Sequence, residues 1–345
     1  MVTILSEYHF ELPADLIAQK PITERDASRM LMVDRLSGSM TDSQFSKLPS
    51  LLGKDDLLVL NNTRVFPARL LGRSVTGAQV EVFLVEEIEP LTWITLARPG
   101  KRLRVGRTID FGYKLSGEMV ERSADGKFVI RFEAVGEFEA VVQEIGRTPL
   151  PPYIHRDARQ PDLDGERYQT VFAANRGAIA APTAGLHFTP ETISQIAEHG
   201  VEVAEVTLHV GYGTFEPVRT TELSSHKVAP ERFMVDEAAA ESLERARRDG
   251  RRIVAVGTTT TRTLESMIQR HGRFTAESGR ADLTIVPGYK FAAVGALLTN
   301  FHLPESSLLV LVATFGGHQL IMDAYRHAVS SGYRFYSYGD CMLIT

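Results

Sequence analysis

The chain of 345 residues has a single cysteine, Cys341, and a single tryptophan. One thiol cannot close an intramolecular disulfide and is too few for a cysteine-built zinc site, which excludes a disulfide scaffold and points to a reducing compartment. The ten histidines include no HxxxH pair suited to one helix face, so no metal site is expected. Long apolar runs are missing: Leu308 to Phe315 falls far short of the ~18 residues that a bilayer crossing needs. The first residues carry Glu7, Glu11 and Asp15 where a secretory signal would be apolar, and a cytoplasmic protein without membrane contact is expected. There is no GxSxG elbow, kinase signature, CxxC pair, GxGxxG fingerprint, fixed-period repeat or low-complexity tract. Hydrolase, kinase and dinucleotide-binding readings therefore lose their usual support.

A large excess of charge is also absent. Lys and Arg number 38 against 43 Asp and Glu, a formal charge of -5, which argues against a generally basic nucleic-acid coat. The acid is unevenly placed, however. Arg98, Lys101, Arg102, Arg104 and Arg107 stand close together with no acid among them, a candidate phosphate-contacting strip. A second run, Arg245, Arg247, Arg248, Arg251 and Arg252, falls at the end of a predicted helix, where cations also suit the helix dipole.

What is present is ordinary globular composition, 43% hydrophobic and 23% charged, at a length suited to two domains. The patterning predicts an α/β protein: a mixed-sheet α/β domain formed by residues 1–63 and 157–345, interrupted by a small all-β barrel over 64–156. Within the insert, short apolar runs at Ala68–Arg73, Val80–Val85, Trp93–Arg98, Thr108–Phe111, Lys127–Phe132 and Phe138–Val142 are separated by glycine-bearing turns. Flanking it, strands are expected at Leu57–Leu60, Val201–Leu208, Ile253–Val256, Leu283–Val286, Ala296–Thr299 and Arg334–Tyr338. Helices are expected after Thr189 and over Asp236–Arg248, Ser306–Phe315 and Gln319–Ser330.

Several segments have the residue types of a site. Gly257-Thr258-Thr259-Thr260-Thr261-Arg262 opens a helix directly after a buried strand; its threonines either cap the helix or leave amides that, with Arg262, hold an anion. Ala181 to Phe188 is a small-residue loop containing Thr183 and Gly185 and ending in His187. Leu208 to Phe215 holds His209, Tyr212 and Gly213 at a strand end, and Thr299 to Pro304 holds Asn300 and His302. Each histidine suits either a structural hydrogen bond or proton transfer near neutral pH. Arg64 and Arg69, at the start of the insert, either enter a seam between domains or pair with surface acids.

Taken together, these blocks resemble the S-adenosylmethionine:tRNA ribosyltransferase-isomerase family of queuosine biosynthesis. The likeness runs through FELPADLIAQKP, RDASRM, LVLNNTRVFPARL, PLPPYI, ERYQTVFA, APTAGLHFT, TLHVGYGTFEPV, VGTTTTRTLES, LTNFHLPESSLLVLVATFGG and YRFYSYGD. The resemblance implies an α/β fold with an inserted barrel and an enzyme that uses S-adenosylmethionine as a substrate, with no cofactor. Its ribosyl group passes to the aminomethyl group of 7-aminomethyl-7-deazaguanine at the tRNA wobble position, rearranging to give epoxyqueuosine as adenine and methionine leave. Laid against that chemistry, His187 is the first candidate base, with His209 and His302 beside it. Arg64, Thr183, Gly185, Tyr212, Gly213, Thr258, Thr259, Arg262 and Asn300 are candidates for holding the donor. Asn300 and Tyr212 would serve the departing adenine, and Arg262 the methionine carboxylate. Phe188 or Phe215 would stack on the RNA base, and the strip from Arg98 to Arg107 would meet RNA phosphates. A monomer is expected. Two departures stand out: the family's second His after His226-Lys227 is absent, and Thr260-Thr261 replace the usual Ser-Val. A catalytically inactive tRNA-binding relative and an ordinary methyltransferase are the alternatives.

Overall fold

The computed structural model describes residues 3–100, 103–124, 126–156, 164–211, 213, 218 and 220–345. Its strands are β1 Arg29–Val33, β2 Met40–Gln44, β3 Asp56–Asn61, β4 Thr63–Val65, β5 Arg69–Ser74, β6 Gln79–Glu89, β7 Thr92–Arg98, β8 Thr108–Asp110 and β9 Leu115–Arg122. They continue with β10 Phe128–Ala134, β11 Asn175–Ala178, β12 Glu202–Leu208, β13 Glu231–Val235, β14 Arg252–Val256, β15 Glu277–Ala281, β16 Ala296–Asn300 and β17 Cys341–Ile344. Among the described residues, nine strands form one mixed sheet in the order β15-β13-β12-β3-β14-β16-β17-β1-β2. At its centre β12, β3, β14 and β16 run parallel.

Burial on both faces explains why β3, β14 and β16 read as largely apolar runs. Leu57 and Val59 of β3 join one core cluster, while the alternate Leu58 and Leu60 join the cluster on the opposite face. Helices cover both sides. Thr189 accepts a hydrogen bond from the Thr192 amide at 3.1 Å to cap Pro190–Glu198, and Asp236 caps Glu237–Arg248 through the Ala239 amide at 2.8 Å. Among the described residues, no single helix is long and apolar enough to cross a membrane.

Strands β5 to β10 close into an antiparallel barrel in the order β10-β7-β6-β5-β8-β9. Its interior is filled by Leu70, Val82, Leu84, Met119, Ile130 and Phe132, all fully buried. The mixed α/β architecture with an all-β barrel is therefore as the sequence predicts; the expected boundary at residue 157 lies outside the described residues.

Three local expectations are corrected, and one strand is added. Phe138–Val142 is part of a helix, Phe138–Ile145, rather than a strand. Phe138, Val141, Val142 and Ile145 recur at helical spacing and pack on the barrel, with Phe138 5.3 Å from the Phe132 ring centre, so the Val-Val pair only imitated a strand. Strand β9 was not anticipated because Gly117 interrupts its apolar alternation; a Cβ there would lie 2.7 Å from Ile130 Cγ2, so the crowded barrel interior selects glycine. Leu283–Val286 is not a strand, its place at the sheet edge being taken by β15. Arg334–Tyr338 makes only an isolated bridge from Phe335 to Ile17, and β17 follows it.

Candidate active site

Because β12, β3, β14 and β16 are parallel, their carboxyl ends lie together, the edge where open α/β sheets receive ligands. A cleft of about 590 Å³ opens there. Its walls bring together segments far apart in sequence: Thr183 and Ala184, Thr258 and Thr259, Asn300 and His302, with Tyr153, Tyr168 and Tyr336. A second space of about 880 Å³ lies between the barrel, represented by Glu86 and Lys127, and the loop containing His209 and Gly213. The two meet at Val210.

Local forces set the first wall. Gly257, at φ 91°, turns the chain from β14 into the helix Thr258–His271. The threonines do not cap this helix. Thr260 Oγ1 donates to the Val256 carbonyl at 2.6 Å and Thr261 Oγ1 to the Gly257 carbonyl at 3.2 Å, so no side chain serves the first amides. Those of Thr258 and Thr259 head the helix at the cleft, where the dipole favours negative charge.

Arg262 is not beside them in this cleft. Its guanidinium is buried against Glu231, Nη1 to Oε2 2.5 Å, and donates to the carbonyls of Leu283 at 3.1 Å and Ala281 at 2.9 Å. It lines a smaller pocket with Gly213 and Leu308. Gly185 is a packing glycine: a Cβ would lie 2.8 Å from both Phe172 and Thr170. Phe188 is fully buried against Phe45 and Phe172, a core ring that is not available to stack on an RNA base. Arg64 is exposed on β4, paired in register with Arg176 of β11. Tyr212 and Phe215 lie outside the described residues.

The three histidines differ in what their nitrogens do. His187 is buried with both engaged, Nδ1 with Ser28 Oγ at 2.8 Å and Nε2 with Asn300 Oδ1 at 3.1 Å. Burial pushes its pKa down to about 4, and the Arg25 and Arg334 cations act the same way. His302 sets Nε2 against Thr299 Oγ1 at 2.9 Å, and burial lowers it to about 3. His209 sets Nδ1 against Thr63 Oγ1 at 2.8 Å; burial, then the nearby Arg232, lowers it to about 4. Its ring lies so close over Gly177 that a Cβ there would be 2.7 Å away. Among the described residues, His209 and His302 thus each keep one nitrogen without a partner, and His187 keeps none.

Of the basic strip, Arg98 ends β7 on the outer barrel surface, and Arg104 and Arg107 are exposed in the turn before β8. Lys101 and Arg102 lie outside the described residues. The second basic run is consumed locally: Arg245 and Arg251 pair with Glu202, Arg247 with Glu244, Arg248 with Asp249 and Arg252 with Asp56. Arg69 pairs with Glu81 at 2.6 Å. Among the described residues, no group of three or more His, Cys, Asp or Glu is placed to hold a metal.

Sequence reasoning missed Ser28 and the tyrosines. Tyr153 and Tyr336 rings lie 3.8 Å apart edge to face, Tyr153 Oη meets Ser337 Oγ at 2.5 Å, and Tyr336 holds φ 74°. Such a conformation in a bulky residue is costly and marks a constrained turn at the cleft. The Tyr168 side chain is fully buried and lines the same cleft. The signal was available in the blocks PLPPYI, ERYQTVFA, RDASRM and YRFYSYGD, to which no chemistry had been attached.

Comparison with known proteins agrees over the full length. The family model described as "Queuosine biosynthesis protein" matches residues 5–344. An S-adenosylmethionine:tRNA ribosyltransferase-isomerase of Trichlorobacter lovleyi is 47% identical over 341 residues, covering 99% of both chains. One of Symbiobacterium thermophilum is 48% identical over 342 residues, again covering 99% of each. The crystal structure of S-adenosylmethionine tRNA ribosyltransferase from Thermotoga maritima is 37% identical, covers 99% of this chain and 100% of its own, and superposes with a TM-score of 0.57. With the family model matching nearly the whole sequence, this chain belongs to the queuosine biosynthesis protein family.

Proposed function

We infer that this chain is an S-adenosylmethionine:tRNA ribosyltransferase-isomerase of queuosine biosynthesis. The observation that carries this reading is 47% identity to a relative of that name across 99% of both chains. The enzyme moves the ribosyl group of S-adenosylmethionine onto the aminomethyl group of 7-aminomethyl-7-deazaguanine in tRNA and rearranges it, releasing adenine and methionine. The donor is consumed as a substrate and no cofactor is needed. A monomer in the cytoplasm is the accompanying proposal.

The chemistry requires an unprotonated amine and removal of a proton beside the sulfonium, hence one or two neutral bases. His302, in the main cleft, and His209, facing the barrel, suit this pair because each ring is neutral at pH 7 and, among the described residues, has one unpartnered nitrogen. The donor fits the main cleft, where tyrosines supply apolar faces for adenosine and the Thr258 and Thr259 amides supply the positive end of a helix. The RNA base then enters between barrel and sheet, and the two substrates meet near Val210.

Incubation with S-adenosylmethionine and precursor-bearing tRNA tests the activity. Adenine release is expected. S-adenosylhomocysteine in its place would indicate a methyltransferase, and no turnover with precursor-bearing tRNA would indicate an inactive RNA-binding relative.

A further inference from the structure

His187 looks at first like the natural base: a histidine in the loop that forms one wall of the cleft. Its hydrogen bonds say otherwise. Asn300 Nδ2 donates to the Tyr336 carbonyl at 2.9 Å and to the Ser337 carbonyl at 3.4 Å. Carbonyls cannot donate, so the amide can sit only one way round, with Oδ1 toward His187. Oδ1 can only accept, and Nε2 lies 3.1 Å from it, so Nε2 must carry the proton. In a neutral ring Nδ1 is then the acceptor, so the single Ser28 hydroxyl hydrogen, which also has the Arg25 carbonyl within reach at 3.2 Å, goes to Nδ1 over the shorter 2.8 Å contact.

The ring's single lone pair therefore points at Ser28, away from Asn300 and the cleft. The groups around the ring reinforce this state. Phe45 packs a tilted ring against it, 5.4 Å between ring centres, and Arg25, whose Nη1 donates to the Leu186 carbonyl at 3.1 Å, disfavours a second positive charge, as does Arg334. His187 is buried and Asn300 lies between it and the wall formed by Tyr336 and Ser337.

We propose that His187 is a positioning residue and not a base: the chain Ser28–His187–Asn300 fixes the amide of Asn300, which in turn holds the Tyr336–Ser337 turn that shapes the donor cleft. The turn needs such a tether. Tyr336 sits at positive φ, and Ser337 is the hydrogen-bond partner of Tyr153 across the cleft. Losing the Nε2 donor orphans Asn300 Oδ1, frees the amide to rotate, leaves the Tyr336 carbonyl to the Gly339 amide alone and removes the Asn300 donor from the Ser337 carbonyl. The proton-accepting role passes to the histidines with an open nitrogen, His302 first.

Two measurements on the full-length protein test this. Nitrogen-15 NMR of the histidine-labelled chain, with the His187 signal identified by its loss in His187→Gln, should show a neutral ring protonated on Nε2 at pH 7. A ring protonated on Nδ1, or an imidazolium, would overturn the proposal, and this result does not depend on any activity. The second measurement rests on the ribosyltransferase-isomerase reading. In His187→Gln the side-chain amide replaces the Nε2–H donor without a titratable group, so kcat should stay within about ten-fold of the parent with an unchanged pH profile, whereas His187→Ala should lose about 100-fold or more. His187→Ala combined with Asn300→Ala should be no worse than either alone, because both cut the same tether. Gln as inactive as Ala, with a limb of the pH profile removed, would make His187 the base. If the parent releases no adenine, the activity reading fails while the NMR result still decides the role of the ring.

Discussion

Burial holds His187 near pKa 4, against an ordinary value of 6.5. Between those values the unfolded chain binds a proton at this ring and the folded chain does not, so stability falls as pH falls from about 6.5 to about 4 and levels off below. A shift of that size corresponds to a loss of order 3 kcal/mol from this ring alone. The urea midpoint should decline over this window, and His187→Gln should flatten the decline; an equally steep decline would mean that other groups set it. His302 is the residue on which turnover should depend most. His302→Gln should reduce kcat by about 100-fold or more with donor affinity within a few-fold, as measured by adenine release and by equilibrium binding of S-adenosylmethionine. Turnover near the parent value would remove it from the base role.

The helix Thr258–His271 is the element that does most to assemble the site. Its first turn faces the cleft at the strand ends, while Arg262 and Glu265 further along reach the chain between β13 and β16. Glu265, fully buried, accepts from the Tyr289 hydroxyl at 2.9 Å and from the amides of Ala292, Ala293 and Val294 at 3.0 Å each. Removing the partner of Arg262 would leave a buried charge uncompensated, so Glu231→Ala should cost about 3–5 kcal/mol in urea unfolding, and parent-like stability would contradict this account. The same helix shows what a sequence can and cannot convey. Its start was legible because Gly257 and four threonines follow a buried strand. Its Arg262 was misplaced because ion pairing with Glu231, 31 residues away, leaves no local trace. Likewise the strands of the sheet centre were legible from unbroken apolar runs, whereas β9 was hidden by Gly117 and the helix Phe138–Ile145 by its β-branched pair. Tyr153, Tyr168 and Tyr336 meet only after folding, so no spacing announced them, and the pairing of His187 with Ser28 and Asn300 spans 159 and 113 residues.

At the scale of the molecule, the net charge of -5 is unevenly spread. The basic groups at the end of the helix Glu237–Arg248 are neutralised by acids, whereas Arg98, Arg104 and Arg107 are exposed on the barrel. If that barrel face meets the anticodon arm, replacing these three by Ala should lower the magnitude of the slope of log K against log salt by about 2–3 for precursor tRNA. An unchanged slope would assign the phosphate contacts to another face. The most direct test of the whole account follows the sugar. With S-adenosylmethionine labelled with carbon-13 throughout its ribose, mass spectrometry of nucleosides from the treated tRNA should show the precursor base carrying all of the labelled ribosyl carbons. A product that gains only a methyl group, or an unmodified precursor, would contradict it.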